Sequence, residues 1–198
     1  MIPGCPTLAV RRHGEAWNRP FVSVIWPYYE TEGDPLNRIT SLESTDSDLV
    51  ALAITPDRDN DQYEIPYGRY TVLNATDPTK AHKVAGDIGF RGIYGVTGEG
   101  RGRSLLYLGR GYALRSGRYG LESANGELMT ASLVVEDGRL TVSCDADALL
   151  YAPPVAGKRI ELRARGSDTW QAAQVVDRTS DAVCYRIPEG IDTAVRNK

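Results

Sequence analysis

His13, Glu15 and Arg19 are the residues near the start of the chain with the most chemical capacity, and they lie in RRHGEAWNRPFVSVIW at residues 11–26. A histidine can act as acid or base near neutral pH, a carboxylate can orient it, and an arginine can neutralise an anionic substrate. The same trio suits a hydrogen-bonded network bracing a strand, because Pro20 fixes its own φ and pushes Arg19 toward an extended conformation. We favour the bracing network and keep a catalytic or glycan-contacting role as the alternative.

The other side chains that could take part in catalysis are those of His82, eleven tyrosines and many aspartates and glutamates. No GxSxG motif accompanies the histidines, so a serine triad is not indicated. Paired carboxylates of a glycosidase depend on a distance that the sequence does not give. Tyr, His and Arg together could carry out β-elimination from a uronic acid, with Tyr as acid or base and Arg neutralising the carboxylate. The sequence does not fix which of these residues converge.

A cluster of arginines and tyrosines between residues 91 and 119 is a candidate ligand surface. Guanidinium groups bind carboxylates or sulfates in a bidentate manner, and tyrosine rings offer faces to sugars. If this surface binds a ligand, an acidic polysaccharide is the expected class. Both residue types also fill outward positions of strands without any ligand, which is the favoured alternative. The candidates are Arg91, Arg110, Arg115, Tyr94 and Tyr112.

Metal and cofactor sites are only weakly indicated. Asp57, Asp59 and Asp61 are spaced as calcium ligands can be, but the EF-hand glycine and bidentate Glu are missing, so a solvated hairpin tip is favoured. Cys5, Cys144 and Cys184 form no zinc motif. Three buried free thiols are favoured over a disulfide between Cys144 and Cys184.

The glycines at residues 86–104 are followed by a strand pattern and not by a helix, so no nucleotide is expected there. We therefore predict no cofactor.

Short runs with period-two alternation recur at intervals of about ten residues, which is typical of an all-β sandwich. Asp137-Gly138 predicts a tight hairpin, because both positions favour a positive φ. The sequence therefore predicts an antiparallel β-sandwich of roughly 12–15 short strands with little or no helix, in one domain over residues 1–198. Residues 155–198 are a candidate terminal β subdomain. The clearest predicted strands are at residues 21–26, 49–54, 69–73, 105–108, 131–136, 139–144, 159–165 and 182–187.

The 198 residues, 41% of them apolar, suffice for a sizeable core. A formal net charge of −3 argues against a generally basic nucleic-acid-binding surface. No apolar run reaches the ~18 residues of a membrane span, and the start lacks the pattern of a secretory signal. We therefore expect no nucleic-acid or membrane partner. Pro3 and Pro6 interrupt the start of the chain. One interpretation is that Met1 lies inside a longer natural protein.

The motif HGEAWNRPFVSV at residues 13–24 resembles the C-terminal β-sandwich region of heparinase II/III-like polysaccharide lyases and related large secreted proteins. LAVRR before it, and ITSL, YTVLNA, FRGIYG and YLGRG after it, extend the resemblance over roughly residues 7–150. The resemblance implies a secreted or periplasmic location and a helical catalytic toroid N-terminal to the sandwich. No catalytic motif of that family matches residue by residue.

Our first hypothesis is a non-catalytic, accessory β-sandwich module of a carbohydrate-processing protein that contacts an acidic glycan. The alternative is a small Tyr/His-dependent polysaccharide lyase acting on a uronate-containing polymer. A structural or subunit-contact domain without ligand is the third hypothesis.

Overall fold

A computed structural model describes residues 38–44, 46–56, 67–84, 87–137, 139–154, 160–164 and 166–197, with backbone only over 192–197. These residues form antiparallel strands and contain no α-helix. No helix among them is long and apolar enough to cross a membrane. The strands are β1 Ile39–Ser41, β2 Leu49–Ile54, β3 Arg69–Ala75, β4 His82–Val84, β5 Ile88–Gly100, β6 Arg103–Ser116, β7 Tyr119–Ser123, β8 Met129–Glu136, β9 Arg139–Cys144, β10 Ala148–Ala152, β11 Ile160–Leu162, β12 Gln171–Ala172, β13 Gln174–Arg178, β14 Val183–Ile187 and β15 Asp192–Asn197.

The strands form one hydrogen-bonded sheet that divides into two arms at the long hairpin β5–β6. The first arm has the order β1-β2-β3-β5-β6-β8-β9-β15-β11-β12. The second arm has the order β4-β5-β6-β7-β10-β14-β13. Each long strand belongs to both arms. Strand β5 pairs with β4 along its first part and with β3 further on, and β6 pairs with β8 along its first part and with β7 along its last part.

Two glycines allow the hairpin to bend where the arms separate. Gly92 and Gly111 are paired across β5 and β6, next to a register shift in the ladder. A Cβ atom on Gly92 would lie 2.7 Å from the Cα of Gly111, closer than real Cβ atoms approach backbone. A side chain at either position would therefore push the two strands apart.

The arms meet again on the opposite side, where the chain runs from β12 into β13. Only Ala173 separates these two strands, and its N–H donates to the carbonyl of Ile160 at 2.8 Å. The last strand of one arm thus continues directly into the last strand of the other.

The core contains fully buried side chains from both arms in one hydrophobic cluster. Leu73, Leu106 and Leu133 come from the first arm, and Leu121, Leu150 and Ile187 come from the second. Buried and partly buried positions alternate along β2 and β8, as expected for strands with one face in the core. The predicted all-β, sandwich-like fold is therefore confirmed.

The predicted strands at 49–54 and 139–144 are correct to the residue as β2 and β9. The hairpin at Asp137-Gly138 is also confirmed, since Glu136 pairs with Arg139 and Asp137 has φ 49°. The described residues contain fifteen strands, most of them short, and β5 and β6 are the longest, with 13 and 14 residues. Gly92 and Gly111 permit a bend within these two continuous strands.

Strands after residue 155 pair with earlier ones, β14 with β10 and β15 with β9. Val183, Tyr185 and Ile187 of β14 lie in the common core. The division into one domain with a terminal subdomain stays a prediction.

Candidate functional site

Arg91 and Tyr112 are held together at the bend of the β5–β6 hairpin. The guanidinium carbon of Arg91 lies 4.5 Å from the centroid of the Tyr112 ring, within the range of a cation–π contact. Its Nε donates to the carbonyl of Thr79 at 2.9 Å. These two contacts orient the guanidinium and leave its terminal nitrogens without a partner in the described part of the chain. An anion can therefore bind them without breaking an existing hydrogen bond.

Arg110 lies in the irregular part of β6, between Leu108 and Gly111, where the register with β8 shifts. Its φ is 55°, a left-handed conformation that costs a non-glycine residue about 1–2 kcal/mol. The side chain is exposed and has no ion pair or hydrogen bond within the described ranges. Residues held in such conformations are enriched at ligand sites, because a bulge re-aims the side chain.

Tyr94 and Tyr107 form an exposed aromatic pair next to this irregularity. Their ring centroids lie 6.1 Å apart at 68°, and the residues are 36% and 37% exposed. Gly109 pairs with Tyr94 across the ladder, and a Cβ atom there would lie 3.2 Å from an atom of each ring. Glycine thus lets both rings lie close to the sheet while part of their surface stays open to a ligand.

Arg115 belongs to a different part of the molecule, because it lies where β6 pairs with β7. Its Nη2 is 2.9 Å from Oε2 of Glu122, and its guanidinium lies 3.8 Å from the centroid of the Tyr151 ring. The Tyr151 hydroxyl also lies 3.2 Å from Oε2 of Glu122. Burial, reinforced by the charge of Glu122, raises the pKa of Tyr151 to about 12. Arg115 therefore already has a carboxylate partner, which makes it a poor site for a second anion.

His82 lies in a second polar cluster, formed with Asp46 and Asp48 from the turn before β2. The histidine side chain is fully buried, and its Nδ1 is 2.8 Å from Oδ2 of Asp46. The ring also stacks on Phe90, with centroids 6.3 Å apart. Lys80 lies 3.0 Å from Oδ1 of Asp48. Burial alone would raise the pKa of Asp48, but the hydrogen bond and positive charge of Lys80, with a backbone hydrogen bond, hold it below its usual value.

This cluster has the residue types of a metal site, since the three candidate ligand atoms lie within 4.8 Å of one another. Its hydrogen bonding argues against a metal ion. Coordination through Nδ1 of His82 would place the proton on Nε2, which is buried and has no partner. Lys80 already compensates the charge of Asp48. The geometry therefore favours a structural contact in which Nδ1–H donates to Asp46 and fixes the turn against β4.

Several predicted site residues lie outside the described part of the chain. They are His13, Glu15, Arg19, Asp57, Asp59 and Asp61, together with Cys5. Their proposed roles stay predictions.

Cys144 and Cys184 are both buried and free, so these two form no disulfide with each other. Burial, with the negative charge of Asp145 nearby, raises the pKa of Cys144 to about 11. Its thiol is therefore unreactive at neutral pH.

The predicted ligand surface is thus divided. The hairpin near the bend carries Arg91, Tyr112, Arg110 and Tyr94, whereas Arg115 forms an ion pair with Glu122 in the second arm. Tyr107 joins the group through its contact with Tyr94, and only the strand register reveals that contact. Sequence spacing also gave no signal for the contact of Asp46 with His82, which are 36 positions apart.

Comparisons of the chain with protein-family models, with curated proteins and with solved structures find no match.

Proposed function

We propose that the protein is a non-catalytic β-sandwich module that contacts an acidic polysaccharide through the bend of the β5–β6 hairpin. The contact residues are Arg91, Arg110, Tyr94, Tyr107 and Tyr112. The two arginines supply donors for carboxylate or sulfate groups, and the exposed tyrosine pair supplies apolar surface for sugar rings.

The observation that carries this proposal is Arg110. The left-handed backbone at this exposed arginine without a partner does not stabilise the fold, and glycine would adopt the same conformation at a lower cost in free energy. A role in binding an anion explains why arginine stands there, and Arg91 lies on the paired strand at the same bend.

A non-catalytic role is supported by the burial of His82, whose side chain has no exposed surface and is hydrogen-bonded to Asp46. This histidine cannot reach a polymer outside the sandwich. The motif at residues 13–24 resembles the β-sandwich region of heparinase II/III-like polysaccharide lyases. This resemblance supports the proposal that the chain is a module of a carbohydrate-processing protein, with a helical catalytic domain as its partner.

Binding of the purified chain to polyuronate, sulfated glycan and neutral glucan, measured by calorimetry, tests the proposal. We expect binding to an acidic polymer and a loss of about tenfold or more in Arg110→Ala, since a hydrogen bond to a charged group contributes about 1.5–3 kcal/mol. Arg118→Ala is the matched control, because Arg118 is exposed but lies in the turn before β7.

Equal affinity of the Arg110→Ala and Arg118→Ala variants would remove the proposed site. Absence of binding to every acidic polymer would favour a structural or subunit-contact domain without ligand. An unsaturated uronate product, detected by its ultraviolet absorbance, would favour the lyase and contradict the non-catalytic role.

A further inference from the structure

Three neighbouring stretches of strand near the bend expose positive charge and no negative charge. They are β4, the part of β5 at residues 88–94 and the part of β6 at residues 110–116. None of them contains an aspartate or a glutamate, although the whole chain has a formal net charge of −3. Their exposed cationic residues are Lys83, Arg91, Arg110 and Arg115.

Lys83 lies on the same outward face of the sheet as Arg91. Its neighbours His82 and Val84 are buried, so its own side chain points away from the core. Lys83 pairs across the ladder with Gly89, and Arg91 follows Gly89 by two residues along β5, which places it on the same face. Lys83 and Arg91 are therefore diagonal neighbours, and such residues lie about 7–8 Å apart.

Lys83 forms no ion pair or hydrogen bond with any other residue that the structure describes. Arg115, which pairs with Gly89 from the other side, differs because Glu122 compensates its charge. Lys83 and Arg91 are thus two neighbouring cations without a carboxylate between them. Like charges at this distance repel each other, so their placement costs stability unless an anion binds between them.

Gly89 leaves the surface between these cations open. Apart from its neighbours in the chain, a Cβ atom there would have one contact within 4 Å in the described ranges, with the Cβ of Arg115 at 3.9 Å. No side chain rises from the sheet at this point, so a ligand can lie directly on the backbone. The open surface is bordered by Lys83 and Arg115 and continues along β5 toward Arg91.

We infer that the acidic polysaccharide lies along β5 and that Lys83 binds one of its anionic groups, at the end of the site away from the tyrosine pair. This inference rests on the proposed function, to which it adds a residue, a direction and a minimum length of ligand. From Gly89 to Tyr94 the strand extends roughly 17 Å, which is longer than a disaccharide. A ligand of several sugar units therefore contacts Lys83, Arg91 and Arg110 at once.

Charge favours this direction over a path across the strands. Toward the first arm, Tyr107 pairs with the uncharged Ser132 of β8. Toward the second arm, Ala113 pairs with Glu122 of β7, whose ion pair with Arg115 offers a polyanion no net attraction. The positive charge of the bend therefore continues along β5 toward β4.

Calorimetric binding of acidic oligosaccharides of increasing length tests the inference, with oligouronates or sulfated oligosaccharides chosen according to the polymer that the wild type binds. Wild-type affinity should rise with length until the ligand reaches Lys83, because an added contact of a tethered group acts at a high effective concentration. Lys83→Gln should weaken long ligands by about threefold, the scale of one exposed charge contact, and leave the shortest ligand that binds unaffected. Lys83→Glu reverses the charge and should weaken long ligands further.

Arg178→Gln is the matched control, because it makes the same change in net charge at an exposed position of β13, the last strand of the second arm. Circular dichroism verifies that each variant is folded. Equal affinities of Lys83→Gln and Arg178→Gln for long ligands would overturn the inference, and so would a loss in Lys83→Gln that is the same at every length. Both results leave wild-type binding and its loss in Arg110→Ala intact. They are therefore distinct from failure of the proposed function, in which the wild type binds no acidic polymer and both proposals are overturned.

Discussion

Asp46 accepts a hydrogen bond from the buried His82 across 36 positions of sequence, with 2.8 Å between Oδ2 and Nδ1. Replacing Asp46 by alanine leaves the imidazole Nδ1 without its partner. We expect Asp46→Ala to lower the free energy of unfolding by about 1–3 kcal/mol in urea titrations. The control is Asp77→Ala, which removes an exposed carboxylate that contacts only Thr79 in its own turn. Equal effects of the two variants would contradict the assigned role of Asp46.

The lowered pKa of Asp48 predicts a contribution to acid stability. Because the pKa of the folded state lies below the unfolded value of about 3.9, the unfolded state binds more protons between these two values. The contribution is therefore present above the unfolded pKa and is lost as pH falls through the folded pKa. Urea titrations at neutral pH and near pH ~3 should show a smaller loss of stability in Asp48→Asn than in the wild type. An unchanged loss would refute this.

The bend of the β5–β6 hairpin predicts intolerance of a side chain at Gly111. A Cβ atom there would meet the side chain of Leu108 and would lie 2.9 Å from the carbonyl oxygen of Arg91. We expect Gly111→Ala to destabilise the fold by about 1–3 kcal/mol, the usual cost of overpacking. Gly89→Ala is the control on the same hairpin, because its Cβ would have ordinary contact, 3.9 Å from that of Arg115. Thermal unfolding of both variants separates steric conflict from a general effect of glycine replacement.

The left-handed backbone of Arg110 predicts that replacing this residue by glycine raises the stability of the fold and weakens ligand binding. Arg110→Gly relieves the conformational cost and should raise the free energy of unfolding by about 1 kcal/mol. The same variant should lose affinity for acidic polysaccharide, as Arg110→Ala does. Calorimetric unfolding and binding measured on one preparation check both effects. A destabilised Arg110→Gly variant would show that the arginine serves the fold.

Burial of Cys144 predicts a thiol protected from alkylation. Its pKa of about 11 keeps it protonated near pH ~8, and its position in the core excludes reagent. Iodoacetamide should therefore label Cys144 in urea but not in the native protein, as read by peptide mapping. Rapid native labelling would indicate that β9 opens readily.

The sequence was sufficient to predict the turns and strands that depend only on residues close together in the chain. Asp137-Gly138 favours a tight turn by itself, and the alternation in residues 49–54 and 139–144 defines two strands directly. It was not sufficient where the result depends on strand order. Arg115 follows Arg110 by only five residues, so the sequence predicts one surface for both, but the change of partner from β8 to β7 places Arg115 in the second arm. The contact between Asp46 and His82 depends likewise on β4 lying beside β5.

The hairpin β5–β6 has a consequence for folding kinetics. Its two strands are joined by a short turn, so they can pair before any distant contact forms, and hairpins of this kind close in about 1–10 μs. Once formed, it offers an edge to β3 and β8 in one arm and to β4 and β7 in the other. We therefore expect the hairpin to act as the nucleus on which both layers assemble. Substitutions in its ladder should slow refolding, whereas those in β13 should mainly accelerate unfolding, and φ-values measured by stopped-flow would distinguish the two behaviours.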